Sequence, residues 1–353
     1  MLPVTYLRSS SLGTFSWCEQ KYANVYVLGL KDKENIKAWM GTTTHRNLQT
    51  LGDIKIARDK GDKRLKDELF DHSLEELEDI SLINDVCFDY YKSHNTELNI
   101  TEKERKICLK WTLKALAFQG GIMDPRKQDI HATEVFFELD LPEWAEYNYQ
   151  IGDTVLSGRG QIKGTCDLVC RESDVYFQVI DYKSGQRLNW TTGEVKNQED
   201  FEKDPQLLLY YYALRNIYPD NKFFMSIYYI NHGGQCTRNE KGELKSTYPD
   251  EGGIFSIAFD DHDYEIAEQM LKEKFEAIRN TKVPSMLSPS NSHWKCKYLC
   301  KFSEQSTEDP SKTTCQFLNG YIRDNGIEDA ILKYGDINKL TSYGEGGGRV
   351  SKD

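Results

Sequence analysis

Two short stretches carry residue types that can do chemistry together: Gly164-Thr165-Cys166-Asp167 and Val179-Ile180-Asp181-Tyr182-Lys183-Ser184-Gly185. Both read as strands. Asp181 and Lys183 stand at i and i+2, so on a strand they share a face. The apolar pair Val179-Ile180 marks the strand as otherwise buried. Opposite charges at the end of a buried strand are costly to desolvate unless a metal ion or a phosphate stands between them. Hydrolysis of a phosphodiester needs an activated water, a stabilised pentavalent phosphorus and a neutralised leaving oxygen. Mg²⁺ or Mn²⁺ on carboxylates assists all three, and these hard cations take oxygen ligands while keeping several waters. Asp167 and Asp181 would supply the oxygens, and the Tyr182 backbone carbonyl a further one. Lys183 would orient the attacking water or stabilise charge on the phosphate. The competing reading of an isolated Asp-x-Lys is a surface ion pair in a hairpin, which is common and weak.

The elements that would position these groups follow from patterning. Residues 9–24 read as a helix with Ser10 or Ser11 as cap. Gly41-Thr42-Thr43-Thr44-His45 opens another. Residues 62–93 and 101–118 read as a charged, mostly helical block, with Leu65, Leu69, Phe70, Leu74 and Leu77 at helix-like intervals. Strands are expected at 133–139, 160–170 and 175–181, the last two joined by the turn-like Arg171-Glu172-Ser173-Asp174. A polar loop follows at 187–200. Further on come a helix over 201–217, strands at 223–230 and 254–259, a turn at Asn231-His232-Gly233-Gly234, and a helix over 263–280. The first three strands read as antiparallel, and the strand after the helix joins the same sheet. This order predicts an α/β sandwich with a large helical insertion ahead of the sheet.

With these residues in place, the chain resembles the PD-(D/E)XK nuclease superfamily, in its RecB-like branch. Four motifs stand in that branch's order: Gly41 to His45, Gly164 to Asp167, Asp181 with Lys183, and Gln206 with Tyr210. The resemblance implies a restriction-endonuclease-like core, a central mixed sheet flanked by helices. It makes His45 a metal ligand or water-holder beside the carboxylates, where His45 alone reads as a hydrogen-bonded helix residue. Gln206 and Tyr210, one helical turn apart, would contact DNA or brace the active-site acid; otherwise they are an amphipathic edge. Glu134 is a further acid, with Glu138 and Asp140 equally available. The organisation implied is one nuclease domain over 1–340. It has a helical insertion at about 55–125, a catalytic core at about 130–280 and a cysteine segment at about 293–317 packing with Cys18. A flexible glycine-rich tail, 341–353, follows.

Nine cysteines, an odd number, fit a closed disulfide set poorly. Cys18 near the start and Cys296, Cys300 and Cys315 near the end resemble the iron–sulfur nucleases of CRISPR adaptation modules and AddB-type subunits. There, four thiolates hold a [4Fe–4S] cluster. The spacing here, C-x3-C-x14-C, departs from the usual C-x2-C-x5-C. Zinc on four thiolates is chemically open, and so are free thiols. Cys87, Cys108, Cys166, Cys170 and Cys236 read as core or incidental cysteines.

The net charge of −11 argues against a basic nucleic-acid coat but leaves a local positive groove open. Lys183, Arg187, Asn189, Trp190 and Lys196 form one candidate DNA contact, with a base stacked on Trp190; a solvated loop is the alternative. Lys295, Lys297, Lys301 and Lys312 make the cysteine segment locally basic. No run of eighteen apolar residues exists, and Met1–Tyr6 lacks the layout of a secretion signal, so a cytoplasmic protein without membrane contact is expected, in the host cytoplasm if viral. The expected activity is a Mg²⁺- or Mn²⁺-dependent deoxyribonuclease, an exonuclease on single-stranded ends, in recombination, repair or phage DNA processing. With no Walker-type phosphate loop, a helicase or recombination partner would do any unwinding. The alternative is a catalytically silent DNA-end-binding or assembly module of the same fold.

Overall fold

The computed structural model describes residues 1–95, 97–188, 194–231, 236–238, 240, 244–246, 253–290 and 292–340. At its centre is a six-stranded mixed sheet. The strands are β1 (Tyr6–Leu7), β2 (Ile130–Asp140), β3 (Gln161–Arg171), β4 (Tyr176–Lys183), β5 (Lys222–Tyr229) and β6 (Gly253–Phe259). β2 runs antiparallel along one edge of β3. The other edge is shared: β1 pairs in parallel with its first two residues, and β4 pairs antiparallel from Leu168 onward. β5 lies parallel to β4, and β6 antiparallel to β5. The β3 edge between Ile162 and Leu168 therefore has no ladder partner, and Asp167 sits at the end of that opening.

Period-two alternation divides the sheet into two buried faces. Phe177 and Val179 of β4 join one core with Phe223, Met225 and Ile227 of β5. Helices α1 (Ser9–Trp17), α5 (Pro205–Ile217) and α6 (Asp261–Asn280) cover that face, with Leu12, Leu208 and Leu271 among the contacts. Ile180 and Tyr182 face the other core, closed by α2 (Ile36–Asp59), α3 (Ile80–Ser93) and α4 (Glu102–Ala117). Near the end of the chain come α7 (Trp294–Leu299), α8 (Thr314–Asn325) and α9 (Ile327–Tyr334). Among the described residues no helix is long and apolar enough to cross a membrane.

The expected α/β order holds, but the helix expected over 9–24 breaks at Cys18, whose backbone is extended, before a separate short helix Glu19–Tyr22, and three further corrections follow. The stretch 62–93 is not one helical block. Arg64–Lys66 and Asp71–Ser73 form a hairpin, and α3 begins only at Ile80. The Asp67 carboxylate accepts the N–H groups of Leu69 and Phe70 at 2.7 and 2.8 Å, fixing a turn that a helix would forbid. Leu65, Phe70, Leu74 and Leu77 are still buried, but in a hairpin, a turn and the short 3₁₀ helix Glu76–Glu78, where their spacing together imitates one long helix. Second, the helix expected over 201–217 is broken. Pro205 has no N–H to continue a helix from Gln198–Glu202, so it starts α5, where Asp204 caps Gln206 N–H at 2.9 Å. Third, Gly41 lies inside α2, whose cap is Asn35. The hairpin Glu146–Ile151 with Thr154–Arg159 is an addition to the expected elements. The 341–353 tail, and most of the turn expected at 231–234, lie outside the described residues.

Gly164 faces Phe137 across the β2–β3 ladder, and a Cβ on it would stand 2.4 Å from the buried Phe137 ring. Gly164→Ala is expected to lower stability by about 1–3 kcal/mol in denaturant unfolding, as overpacking does. Gly13→Ala in α1, where a Cβ meets nothing within 4 Å, is expected to be neutral or mildly stabilising.

Candidate active site

β3 and β4 stay paired as far as Leu168 and Ile180, and one further step would oppose Asp167 to Asp181. There the strands part, and the two carboxylates stand at the fork. Asp167 Oδ2 accepts the Tyr182 N–H at 2.8 Å and lies 3.2 Å from His45 Nδ1. Asp181 is almost wholly buried, with a side chain only 3 % exposed. Its Oδ1 accepts from Gln206 Nε2 at 2.7 Å, and the same amide donates to Tyr210 Oη at 2.9 Å. The Lys183 ammonium stands 2.7 Å from Asp181 Oδ2, but off the hydrogen-bonding direction. The charges attract, while this buried oxygen keeps a lone pair that no protein donor fills.

The supporting residues have identifiable reasons. Tyr210 meets the Phe137 ring edge-on at 5.9 Å, so Gly164 makes room for the ring that backs the Tyr210–Gln206–Asp181 chain. A Cβ on Gly41 would stand 2.9 Å from Ser184 Oγ. Glycine here leaves room for the Ser184 hydroxyl beside α2, and His45, one turn further on, reaches Asp167. Elements from both layers thus meet at the fork: His45 from α2 on one side, Gln206 and Tyr210 from α5 on the other.

The family profile described as the PD-(D/E)XK nuclease superfamily matches residues 9–305. The chain belongs to that superfamily. Among solved structures, this nuclease is similar to a crystal structure from Eubacterium rectale named "Putative exonuclease", with 12 % identity, a TM-score of 0.35, and coverage of 83 % of this chain and 88 % of that one. It is also similar to a crystal structure of SSO0001, with 13 % identity, a TM-score of 0.31, and coverage of 86 % and 87 %. Likenesses this distant say nothing about its chemistry. No curated protein matches the chain.

The nuclease has one acid at the fork that patterning did not single out. Glu134 of β2 stands in register opposite Asp167, between the pairs Thr133–Leu168 and Val135–Cys166. Its backbone is left-handed, at φ 45°, uncommon for a residue with a side chain. Among the described residues it has no hydrogen-bond or ion-pair partner. Its two rivals are engaged elsewhere: Glu138 pairs with Lys163 at 3.0 Å, and Asp140 accepts from Gln161 at 3.0 Å. No local sequence signal separates the three, because only the register to Asp167 does so.

Charge at the fork is strongly coupled. Burial, with the Asp167 charge added, pushes the Glu134 carboxyl up to about 8. Burial also pushes Asp181 up to about 6, against the pull of Lys183. Burial opposes the charged form of His45, but the Asp167 carboxylate outweighs it and raises the imidazole to about 9. Burial would raise Asp167 too, yet His45 and Lys183 hold it below the usual range. Lys183 is raised despite burial, by Asp181 and then Asp167.

Nucleases of this superfamily generally use divalent metals such as Mg²⁺. Among the described residues no three His, Cys, Asp or Glu side chains close around one point as they stand. The donor chemistry nevertheless fits a hard cation. Mutually repelling carboxylates face one another here, and the buried Asp181 Oδ2, although 2.7 Å from the Lys183 ammonium, accepts no hydrogen bond.

The other expected contacts are placed differently. Arg187 is not on a solvated loop: it is buried, with its guanidinium 4.6 Å from the Phe255 ring centre. Lys196 pairs with Asp204, the α5 cap. Trp190 and Asn189 lie outside the described residues. Cys18, Cys296, Cys300 and Cys315 are all buried. They are close enough that burial, and then the other three thiols, raise the Cys315 thiol well above its usual range. Burial pushes Cys300 up to about 11 and raises Cys296, with Cys18 contributing to both. Cys87, Cys108, Cys166 and Cys170 are buried core thiols.

In metal-free protein, Glu134, Asp181 and His45 all bind protons more tightly than the unfolded chain does. Stability from such groups is lost as pH rises from the unfolded to the folded value: about 4.5 to 8 for Glu134, 3.8 to 6 for Asp181 and 6.5 to 9 for His45. In EDTA, thermal stability is therefore expected to fall between pH 6 and 9. Glu134→Gln should flatten the slope below pH 8. Stability rising across that window in the wild type would contradict the assignment.

Proposed function

We propose that this nuclease is a Mg²⁺- or Mn²⁺-dependent deoxyribonuclease of the RecB-like kind, acting as an exonuclease on single-stranded ends. The observation that carries the reading is the fork: two carboxylates, one nearly sealed from water with an unfilled oxygen, beside an ammonium 2.7 Å away. Such a site is stable only with positive charge in it, and a scissile phosphate brings the negative charge that Lys183 would meet. The motif order Gly41–His45, Gly164–Asp167, Asp181–Lys183 and Gln206–Tyr210 supports the RecB-like assignment.

Asp167 and Asp181, with the Tyr182 carbonyl and His45, would hold the cation; Glu134 is a further oxygen donor. When bound, it supplies Lewis acidity toward water and the phosphate oxygens. The protein's own groups do the rest. Gln206 commits its amide to Asp181 Oδ1 and Tyr210, which fixes the carboxylate and leaves Oδ2 available. Lys183 offers N–H donors to a non-bridging phosphate oxygen as the water oxygen bonds to phosphorus and gives up a proton to solvent, while the P–O3′ bond breaks and the 3′ oxygen takes a proton from solvent. Its charge matters most when phosphate charge is greatest, in the transition state. His45, held by Asp167, orients water or ligates through its ring. DNA with free ends is the proposed substrate, with a helicase or recombination protein as a working partner.

For Cys18, Cys296, Cys300 and Cys315 the proposal is a [4Fe–4S] cluster joining the two chain ends, with zinc as the other occupant their chemistry allows; the mutual electrostatic influence of these buried thiols supports it, although no three of them close around one point as they stand. Anaerobically purified protein is expected to be brown, with about four irons per chain. Colourless protein with one zinc would reject the cluster, and metal-free protein would make these free thiols.

Labelled single strands should be degraded in Mg²⁺ or Mn²⁺. Asp181→Ala and Lys183→Ala should each lower that rate by roughly 10²-fold or more, with circular dichroism unchanged. Closed circular single strands should resist. Unaltered activity in both variants would place the chemistry elsewhere, and rapid cutting of circles would remove the exonuclease assignment.

A further inference from the structure

The short helix α7 has its faces inverted relative to an ordinary surface helix. Its inward side buries Lys295 and Cys296. Its outward side displays Trp294, 47 % exposed, and Tyr298, 70 % exposed. These two rings stand at i and i+4 and so share a face. Lys297 is exposed between them, and Lys301 is exposed just beyond the helix. The buried Lys295 ammonium lies 5.7 Å from the Trp17 ring centre and 5.9 Å from that of Trp294, bridging the end of α1 to α7. Lys295, Lys297 and Lys301 have no ion-pair partner among the described residues. In a chain of net charge −11, Lys297 and Lys301 leave two exposed ammonium groups with no carboxylate at ion-pair distance among the described residues.

Exposed large rings alternating with uncompensated cations suit one class of partner above others. A base stacks on each ring whatever its identity, and the ammonium groups meet the phosphates between. A duplex hides its base faces, and an apolar protein groove gains nothing from the exposed, unpaired Lys297 and Lys301. The position is also suitable. Lys21, just after α1, donates to the Leu299 carbonyl of α7 at 2.9 Å. α1 in turn packs on α5, which carries Gln206 and Tyr210. α7 and α5 are thus both tied to α1.

We propose that Trp294 and Tyr298, with Lys297 and Lys301, form a stacking platform for single-stranded nucleic acid, holding the strand whose end is cut at the fork. This builds on the nuclease reading, but its test is a binding measurement that does not require cutting. Fluorescence anisotropy of labelled oligothymidylate with the full chain in EDTA is the probe. Trp294→Ala with Tyr298→Ala should weaken binding about tenfold for each ring. Trp294→Phe with Tyr298→Phe should stay within about threefold of wild type, because the stacking faces remain. Lys297→Gln with Lys301→Gln should weaken binding and reduce the salt slope by about 1.4, at roughly 0.7 per phosphate contact.

An alanine pair that binds oligothymidylate like wild type overturns the proposal and leaves the patch as a protein-docking surface. If the alanine pair also lowers the melting temperature, the phenylalanine pair decides: retained binding supports the platform and lost binding overturns it. Cleavage of a trinucleotide in Mn²⁺, too short to span both sites, separates the two readings. Wild type inactive on every substrate but binding through the rings removes the nuclease and keeps the platform.

Discussion

A carboxylate with almost no access to water sets the terms for this structure. Burying Asp181 opposes its ionisation, and the protein answers with the Gln206 amide on one oxygen and the Lys183 charge near the other. Neither fully compensates, which is why Asp181 stays above the ordinary carboxylate range and Oδ2 has a lone pair to spare. A fold made only for stability would have little use for this, since buried pairs seldom return their desolvation cost. The placement makes sense for a site that is completed by charge from outside.

Much of the surrounding architecture serves that fork. The strand opening on β3 between its β1 and β4 pairings puts Asp167 where a ladder would otherwise continue. Gly164 admits Phe137, Phe137 backs Tyr210, and Tyr210 shares the amide that holds Asp181. On the opposite side Gly41 leaves room for the Ser184 hydroxyl beside α2, and His45 meets Asp167. The spacing of each motif therefore has a steric or hydrogen-bonding cause in this chain. Glu134 adds backbone strain at the same point. A left-handed glutamate facing another carboxylate is tolerated only where the neighbourhood over-determines it.

Much of this was legible before any coordinates. Alternation around Val179-Ile180 located β4, and the i, i+2 spacing put Asp181 and Lys183 together. The four-residue step from Gln206 to Tyr210 on a helix foretold their shared face, though not that one amide would bond both Tyr210 and Asp181. The hairpin at 64–73 was hidden because its buried leucines mimic a helical period, and only the Asp67 turn distinguishes it. Arg187 reads as a surface cation from its polar neighbours, whereas its burial under Phe255 depends on a strand about 70 residues away in sequence. Glu134 could not be separated from Glu138 and Asp140 because β2–β3 register is a tertiary property.

The most direct test of the account is Mn²⁺ binding followed by electron paramagnetic resonance at neutral pH, comparing wild type with Asp181→Asn and Asp167→Asn. These changes keep side-chain shape and remove only charge. The account predicts saturable Mn²⁺ binding by the wild type and its loss, or at least about a tenfold weakening, in both variants. Equal Mn²⁺ affinity in all three proteins would contradict it, because the fork would then hold no ion.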